Sequence, residues 1–153
     1  MDRPASETFM TQALAEARAA ADRGEVPVGA VVVDTQTGTV LARAGNETES
    51  APDPTAHAEV LAIRRAAAAK GTARLTDCDL YVTLEPCAMC AAAISHARIR
   101  RLYFGAYDSK GGGVEHGPRF FAQPTCHHAP EVIGGMMETK ASDLLKAFFK
   151  DRR

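Results

Sequence analysis

Cys87 and Cys90 close the run T-L-E-P-C-A-M-C, Thr83 to Cys90. Two thiols three residues apart sit nearly one helical turn from each other, so a helix opening at Pro86 places both on one face. The free N–H groups and macrodipole of a helix N-terminus stabilise thiolate. Two adjacent thiolates call for a cation. Upstream, the run D-P-T-A-H-A-E, Asp53 to Glu59, brings an imidazole and a carboxylate to the start of a second helix, with Thr55 as its N-cap. On a regular helix, residues two apart point about 200° apart. His57 and Glu59 therefore reach one site only from a helix end, one along the axis and the other sideways.

His57, Cys87 and Cys90 make three ligands, one short of the tetrahedron zinc prefers. A fourth position left to water is the pattern of catalytic zinc, whereas structural sites close with four protein ligands. Sulfur with nitrogen selects zinc over magnesium or calcium. Water on zinc loses a proton near neutral pH, and Glu59 is placed to carry it. A closed alternative takes its fourth ligand from Cys126, His127 or His128, but leaves Glu59 without a purpose. Cys78 reads as a small core residue, and His96 and His116 as surface or loop residues.

The elements that must hold these groups follow in order. Ser6 is an N-cap for a helix with Phe9, Met10, Ala13, Leu14 and Ala17 on its apolar face, ended by Gly24 at C′. Residues 28–33 read as a buried strand, residues 34–38 as a turn, and residues 39–44 as the antiparallel return. After a loop over 46–54, an alanine-rich helix runs from Thr55 to Lys70 and stops at Gly71. Leu80 to Thr83 is a strand, Pro86 to Ser95 the cysteine helix, and Arg100 to Phe104 a strand joined by a parallel crossover. Residues 105–130 are irregular and contain Gly111-Gly112-Gly113. A short strand over 132–134 and a closing helix over 140–152 follow, with Leu144, Leu145, Phe148 and Phe149 assigned to the core. The fold class is α/β, a three-layer α/β/α sandwich on a mixed sheet, with residues 1–153 as a single domain and the second and third helices side by side on one face.

Composition adds boundaries. The chain has 153 residues, 46% hydrophobic and 24% charged, the profile of an ordinary globular domain. The beginning lacks an apolar run, and no stretch approaches a membrane span, so a cytoplasmic location with no membrane partner is expected. Four cysteines in a reducing compartment point to metal or redox work rather than disulfides. A net charge of −1 does not mark a polyanion binder. Contact with nucleic acid must come from local clusters: Arg64-Arg65, Arg98 to Arg101, or Lys150 to Arg153.

The paired H-x-E and P-C-x-x-C motifs, His57-Ala58-Glu59 and Pro86-Cys87-Ala88-Met89-Cys90, resemble the signature of the zinc nucleobase deaminases. Over nearly its whole length the chain is similar to the bacterial tRNA-specific adenosine deaminases. The matching stretches are Glu25 to Ala30, Asn46, Asp53 to Glu59, Tyr81 to Cys90, Phe104-Gly105-Ala106 with Asp108 and Lys110, and Phe148-Phe149. The resemblance implies a cytidine-deaminase-like fold with a five-stranded sheet. It implies one zinc per subunit on His57, Cys87 and Cys90, and proton transfer by Glu59. The reaction it implies is hydrolytic deamination of adenosine to inosine at the wobble position of a tRNA anticodon. Asn46 would hold the flipped nucleoside, Val28 would wall the pocket, the Ala58 N–H would address the base, and Asp108 would contact a neighbouring nucleotide. It also implies a homodimer whose two subunits both meet the tRNA anticodon stem-loop. Two stretches depart from the family pattern: Glu47 to Ser50, and the chain from Gly111 to Phe121. The competing readings are a free-base or nucleoside deaminase of the same fold, acting on guanine or cytosine, and a non-catalytic zinc-stabilised RNA-binding module.

Overall fold

The computed structural model describes residues 3–152, with side chains from Ser6 onward. Four helices and five strands run α1 (Arg3–Asp22), β1 (Gly29–Asp34), β2 (Thr39–Gly45), α2 (Ala58–Lys70), β3 (Cys78–Leu84), α3 (Ala88–Ala97), β4 (Arg101–Ala106), β5 (Glu131–Ile133) and α4 (Glu138–Asp151). The strands form one sheet in the order β2-β1-β3-β4-β5. β1 is antiparallel to both β2 and β3, and β3, β4 and β5 are parallel. The expected mixed five-stranded sheet is present. No helix among the described residues is long and apolar enough to cross a membrane.

Alternation along the strands divides the core. Ala30 and Val32 of β1, Leu80 and Val82 of β3, and Leu102 and Phe104 of β4 face α2 and α3, meeting Ala58, Leu61, Ala62, Ala91 and Ile94. Val31, Val33, Tyr81 and Tyr103 face the other way, onto Phe9, Met10, Ala13 and Leu14 of α1 and Ala141 of α4. The Tyr81 and Tyr103 rings stack there at 4.3 Å. α1 crosses β1 so closely that a methyl group on Gly29 would collide with the Ala13 carbonyl and lie 2.6 Å from the Ala17 nitrogen. Glycine at that point sets how near helix and sheet can come.

Several boundaries differ from expectation. α1 already includes Arg3, so Ser6 lies inside the helix, buried, rather than capping it. Its C-terminus is as expected: Gly24 has φ +86°, and the Gly24 and Glu25 N–H groups return to Ala21 and Ala20 O at 2.9 Å, the Schellman arrangement. Cys78 belongs to β3 and is fully buried, in keeping with a core role. In α4, Phe148 is buried, but Phe149 is 46% exposed and is not a core residue. Arg153, expected in a basic cluster with Lys150 and Arg152, lies outside the described residues.

Candidate active site

The site forms at the carboxyl end of β3, a position where parallel strands present ligands and catalytic groups. Both helices that meet there start later than the sequence suggests. The Thr55 N–H and hydroxyl are taken by Asp53 Oδ1 at 2.8 and 2.7 Å, an Asx turn, so Thr55 does not cap α2. His57 occupies the N-cap position instead, extended at φ −73° and ψ 149°. Cys87 is likewise the N-cap of α3, at φ −72° and ψ 176°, so that helix begins at Ala88, two residues beyond the Pro86 start expected. Neither side chain makes a capping hydrogen bond. Both are therefore free to turn into the space between the helix ends, and Cys90, in the first turn of α3, joins them. Because His57 precedes the helix, it escapes the opposed directions that regular spacing would impose on it and Glu59.

His57 Nδ1 lies 3.4 Å from Cys90 Sγ and 3.7 Å from Cys87 Sγ. Zinc–nitrogen bonds of about 2.0–2.1 Å and zinc–sulfur bonds of about 2.3 Å at tetrahedral angles put such atoms roughly 3.5 Å apart. The donor set therefore fits zinc in both chemistry and spacing. It is the one group among the described residues in which three His, Cys, Asp or Glu side chains gather closely enough to hold an ion. The closed alternative is excluded on position. The Cys126 thiol bonds His128 O at 3.2 Å and lies 3.6 Å from Ser95 Oγ, while His128 Nε2 reaches Ile99 O at 2.7 Å. This segment is tied to the far end of α3, on the order of 12 Å along the helix from Cys87.

The local electrostatics are those of a cation site. The hydrogen bond from the Cys90 thiol pulls the Cys87 thiol down to about 4, against the effect of burial and with help from His57. The same bond, with burial and the nearby Glu59 carboxylate, pushes Cys90 up. His57 is raised, chiefly by its bond with Cys87. Glu59 is buried, and desolvation lifts its carboxyl from 4.5 to about 7, the range useful for moving protons at neutral pH.

Around these groups lies a pocket of ≈ 310 Å³ lined by Val26, Val28, Asn46, Thr48, Asp108 and Gly111 together with His57, Glu59 and Cys87. The expected site residues thus come together. Asn46 is held on three sides: its N–H bonds Val28 O at 3.1 Å, its carbonyl accepts from Arg23 at 3.1 Å, and its Oδ1 accepts the Ala58 N–H at 2.8 Å. The Ala58 N–H, expected to address the base, is engaged by Asn46 here. Asp108 Oδ1 accepts from the Lys110 and Gly111 N–H groups at 3.1 and 2.9 Å.

Two buried carboxylates were not singled out in the sequence. Glu85 accepts the N–H groups of Asp108 (3.0 Å), Val114 (3.2 Å), Glu115 (2.9 Å) and His116 (3.1 Å), and pairs with His116 Nδ1 at 2.8 Å. His116 is thus a partner of Glu85 rather than an idle loop residue. Glu25 accepts from Thr48 Oγ1 (3.3 Å), Glu49 N (3.1 Å) and Ser50 N (2.8 Å). The signals available were an acid wedged between apolar residues and proline, as in Leu84-Glu85-Pro86, and the place of both acids in stretches that match the deaminases, Glu25 to Ala30 and Tyr81 to Cys90.

The glycine run now has a role. A methyl group on Gly113 would sit 2.6 Å from the Ala88 nitrogen and 2.8 Å from the Cys87 carbonyl carbon. Gly113→Ala should therefore displace the α3 N-terminus, costing about 1–3 kcal/mol of stability by overpacking. Thermal denaturation together with zinc analysis should show both quantities reduced. Normal values for both would mean the loop yields without disturbing Cys87.

Comparison with known proteins agrees with this geometry. Residues 4–106 match the family model described as the cytidine and deoxycytidylate deaminase zinc-binding region. The chain is 59% identical over 145 residues to a tRNA-specific adenosine deaminase of Agrobacterium fabrum, covering 95% of this chain and 94% of the relative. It belongs to the zinc-dependent cytidine and deoxycytidylate deaminase family, in the group of the tRNA-specific adenosine deaminases. A structure from a study of A-to-I editing by tRNA:A34 deaminases at the wobble position of transfer RNA superposes on this deaminase with a TM-score of 0.88. That chain is 60% identical, over 90% of this chain and 99% of its own length. A guanine deaminase from Bacillus subtilis is more distant, 33% identical with a TM-score of 0.66, over 86% of this chain and 83% of its own. The free-base alternative is thus the poorer match to this deaminase.

Proposed function

We propose that this deaminase converts adenosine to inosine at the wobble position of a tRNA anticodon, consuming water and releasing ammonia. What supports the reading is three side chains placed to hold a metal, His57, Cys87 and Cys90, with the buried Glu59 carboxyl beside them, in a chain of the tRNA-specific adenosine deaminase group. Zinc held there supplies a Lewis acid that makes water nucleophilic at neutral pH. Glu59 takes one proton from the water and delivers it to N1 of the purine, where it stays in inosine; it then carries the proton of the new C6 hydroxyl to the amine as the C6–N6 bond breaks and ammonia leaves. Its burial keeps that proton from exchanging with solvent. Asn46, its Oδ1 occupied by Ala58, offers its NH2 to an acceptor on the base edge. Ala58 contributes indirectly, by fixing the Asn46 amide. Val28, buried at the pocket wall, excludes water from one face of the base. Asp108, a carboxylate, suits a 2′-hydroxyl or base amine of a neighbouring nucleotide rather than a phosphate.

The target base of an anticodon loop is already splayed, which lowers the cost of bringing it into the pocket. A homodimer, with tRNA contacting both subunits, and residence in the cytoplasm complete the proposal. Both are supported by the tRNA substrate and the group to which the chain belongs. The test is to incubate the protein with an anticodon stem-loop carrying adenosine at the wobble position and read the product by mass. Inosine is expected. An unchanged stem-loop, with ammonia released from free guanine or cytosine, would overturn the reading.

Lys150 and Arg152 are exposed at the end of α4, with the Arg152 guanidinium 3.7 Å from the centre of the Phe148 ring. If they contact phosphates, tRNA affinity falls steeply with added salt, and Lys150→Ala lowers the log–log slope by about one. An identical slope in that variant would remove Lys150 from the interface.

A further inference from the structure

Glu25 and Glu85 are both almost fully buried, at 1% and 2% exposure, and both are held by donors that come mainly from backbone. Burying a carboxylate is costly unless it is fully hydrogen-bonded. An apolar side chain would fill either position at less cost, so packing alone does not account for an acid there. The donors show what the acids do. Those of Glu25 come from residues 48–50, in the loop that carries Asn46 and Thr48 to one rim of the pocket. Those of Glu85 come from residues 108–116, the loop that carries Asp108 and Gly111 to the opposite rim. Val26, next to Glu25, lines the same pocket, as do Leu84 and Glu85 itself.

We propose that Glu25 and Glu85 are paired positioning residues, each holding one rim by its backbone N–H groups, so that together they set the opening through which the target nucleoside and its neighbours enter. Neither carries a proton in the reaction; Glu25 acts through Thr48 and the backbone of residues 49–50, and Glu85 through Asp108. The inference rests on the tRNA reading above for its substrate.

Glu25→Gln keeps the shape but turns an NH2 group toward groups that also donate. Its KM for the anticodon stem-loop should rise by about tenfold while kcat changes by less than about threefold. Zinc content should stay at the wild-type level. Amide hydrogen exchange should show Glu49 and Ser50 losing protection while α1 and β1 keep theirs, and Glu25→Asp should restore part of both effects. Glu85→Gln should raise KM likewise and expose the amides of residues 114–116. A fall in kcat at unchanged KM would place these acids in the chemistry and overturn the proposal. So would unchanged exchange, exposed amides with an unchanged KM, or loss of zinc. The exchange measurements need no substrate. A wild-type protein that forms no inosine would therefore sink the tRNA reading while leaving the anchoring of the two loops separately decided.

Discussion

Glu59→Ala is expected to keep its zinc and lose deamination by about a hundred- to ten-thousand-fold, the usual worth of a general acid–base group. The expectation comes from where Glu59 sits. It is the second residue of α2, buried, and outside the three-atom cluster of His57, Cys87 and Cys90. Burial holds its carboxyl near neutrality rather than in the usual carboxylate range, so it can gain and lose a proton within one turnover. Removing it leaves all three ligand atoms in place. Measuring turnover on the stem-loop beside metal content separates the possibilities. A variant stripped of zinc would make Glu59 a ligand, and the proton-transfer role assigned to it would fail.

Cys90→Ala has the complementary outcome, loss of zinc and activity together. Cys90 is fully buried in the first turn of α3, and its sulfur is 3.4 Å from His57 Nδ1. Without it two ligands remain, and no other metal-binding side chain among the described residues is close enough to substitute. Metal content should fall well below one per chain, and activity by more than about a hundredfold, beyond what loss of a supporting group costs. A pH dependence accompanies this. The raised Cys90 thiol holds its proton throughout the neutral range, so binding a cation must expel that proton. Apparent zinc affinity of the wild type should then increase with pH, by about tenfold per unit for each proton released. A competition titration with a chelator at several pH values measures it. A flat profile would mean both sulfurs are already ionised before the metal arrives.

The cluster of His57, Cys87 and Cys90 with Glu59 buried beside it was legible because its chemistry is carried by residue type and spacing: C-x-x-C, and H-x-E before a helix. The sheet was legible for a similar reason, since Val31, Val32 and Val33 belong in a buried strand whatever surrounds them. Helix starts were less so. Thr55 has the chemistry of an N-cap, but Asp53 engages it first, and nothing in the sequence says which of two local hydrogen bonds wins. Phe149 satisfies the helical period of a core face yet lies exposed in the last turn of α4, its ring edge-on to the buried Phe148. Glu25 and Glu85 were hidden because their partners are backbone N–H groups, which every residue except proline possesses. The loops after Asn46 and from Gly111 are fixed largely by main-chain donors to these carboxylates and by the thinness of Gly113.

His57 and Cys87 cap α2 and α3 through their carbonyls, which accept the Leu61 and Ala91 N–H groups at 3.0 and 2.8 Å, while their side chains give no hydrogen bond to either helix. The two side chains are therefore left free to turn toward each other, and an ion held by His57, Cys87 and Cys90 would tie the ends of the two helices together. Assembly of the enzyme then has a last step that translation does not supply. Metal loading should register as a tightening of amides at Glu59, Val60, Met89 and Cys90, visible before any substrate is turned over, and its reversal should begin at those same four positions.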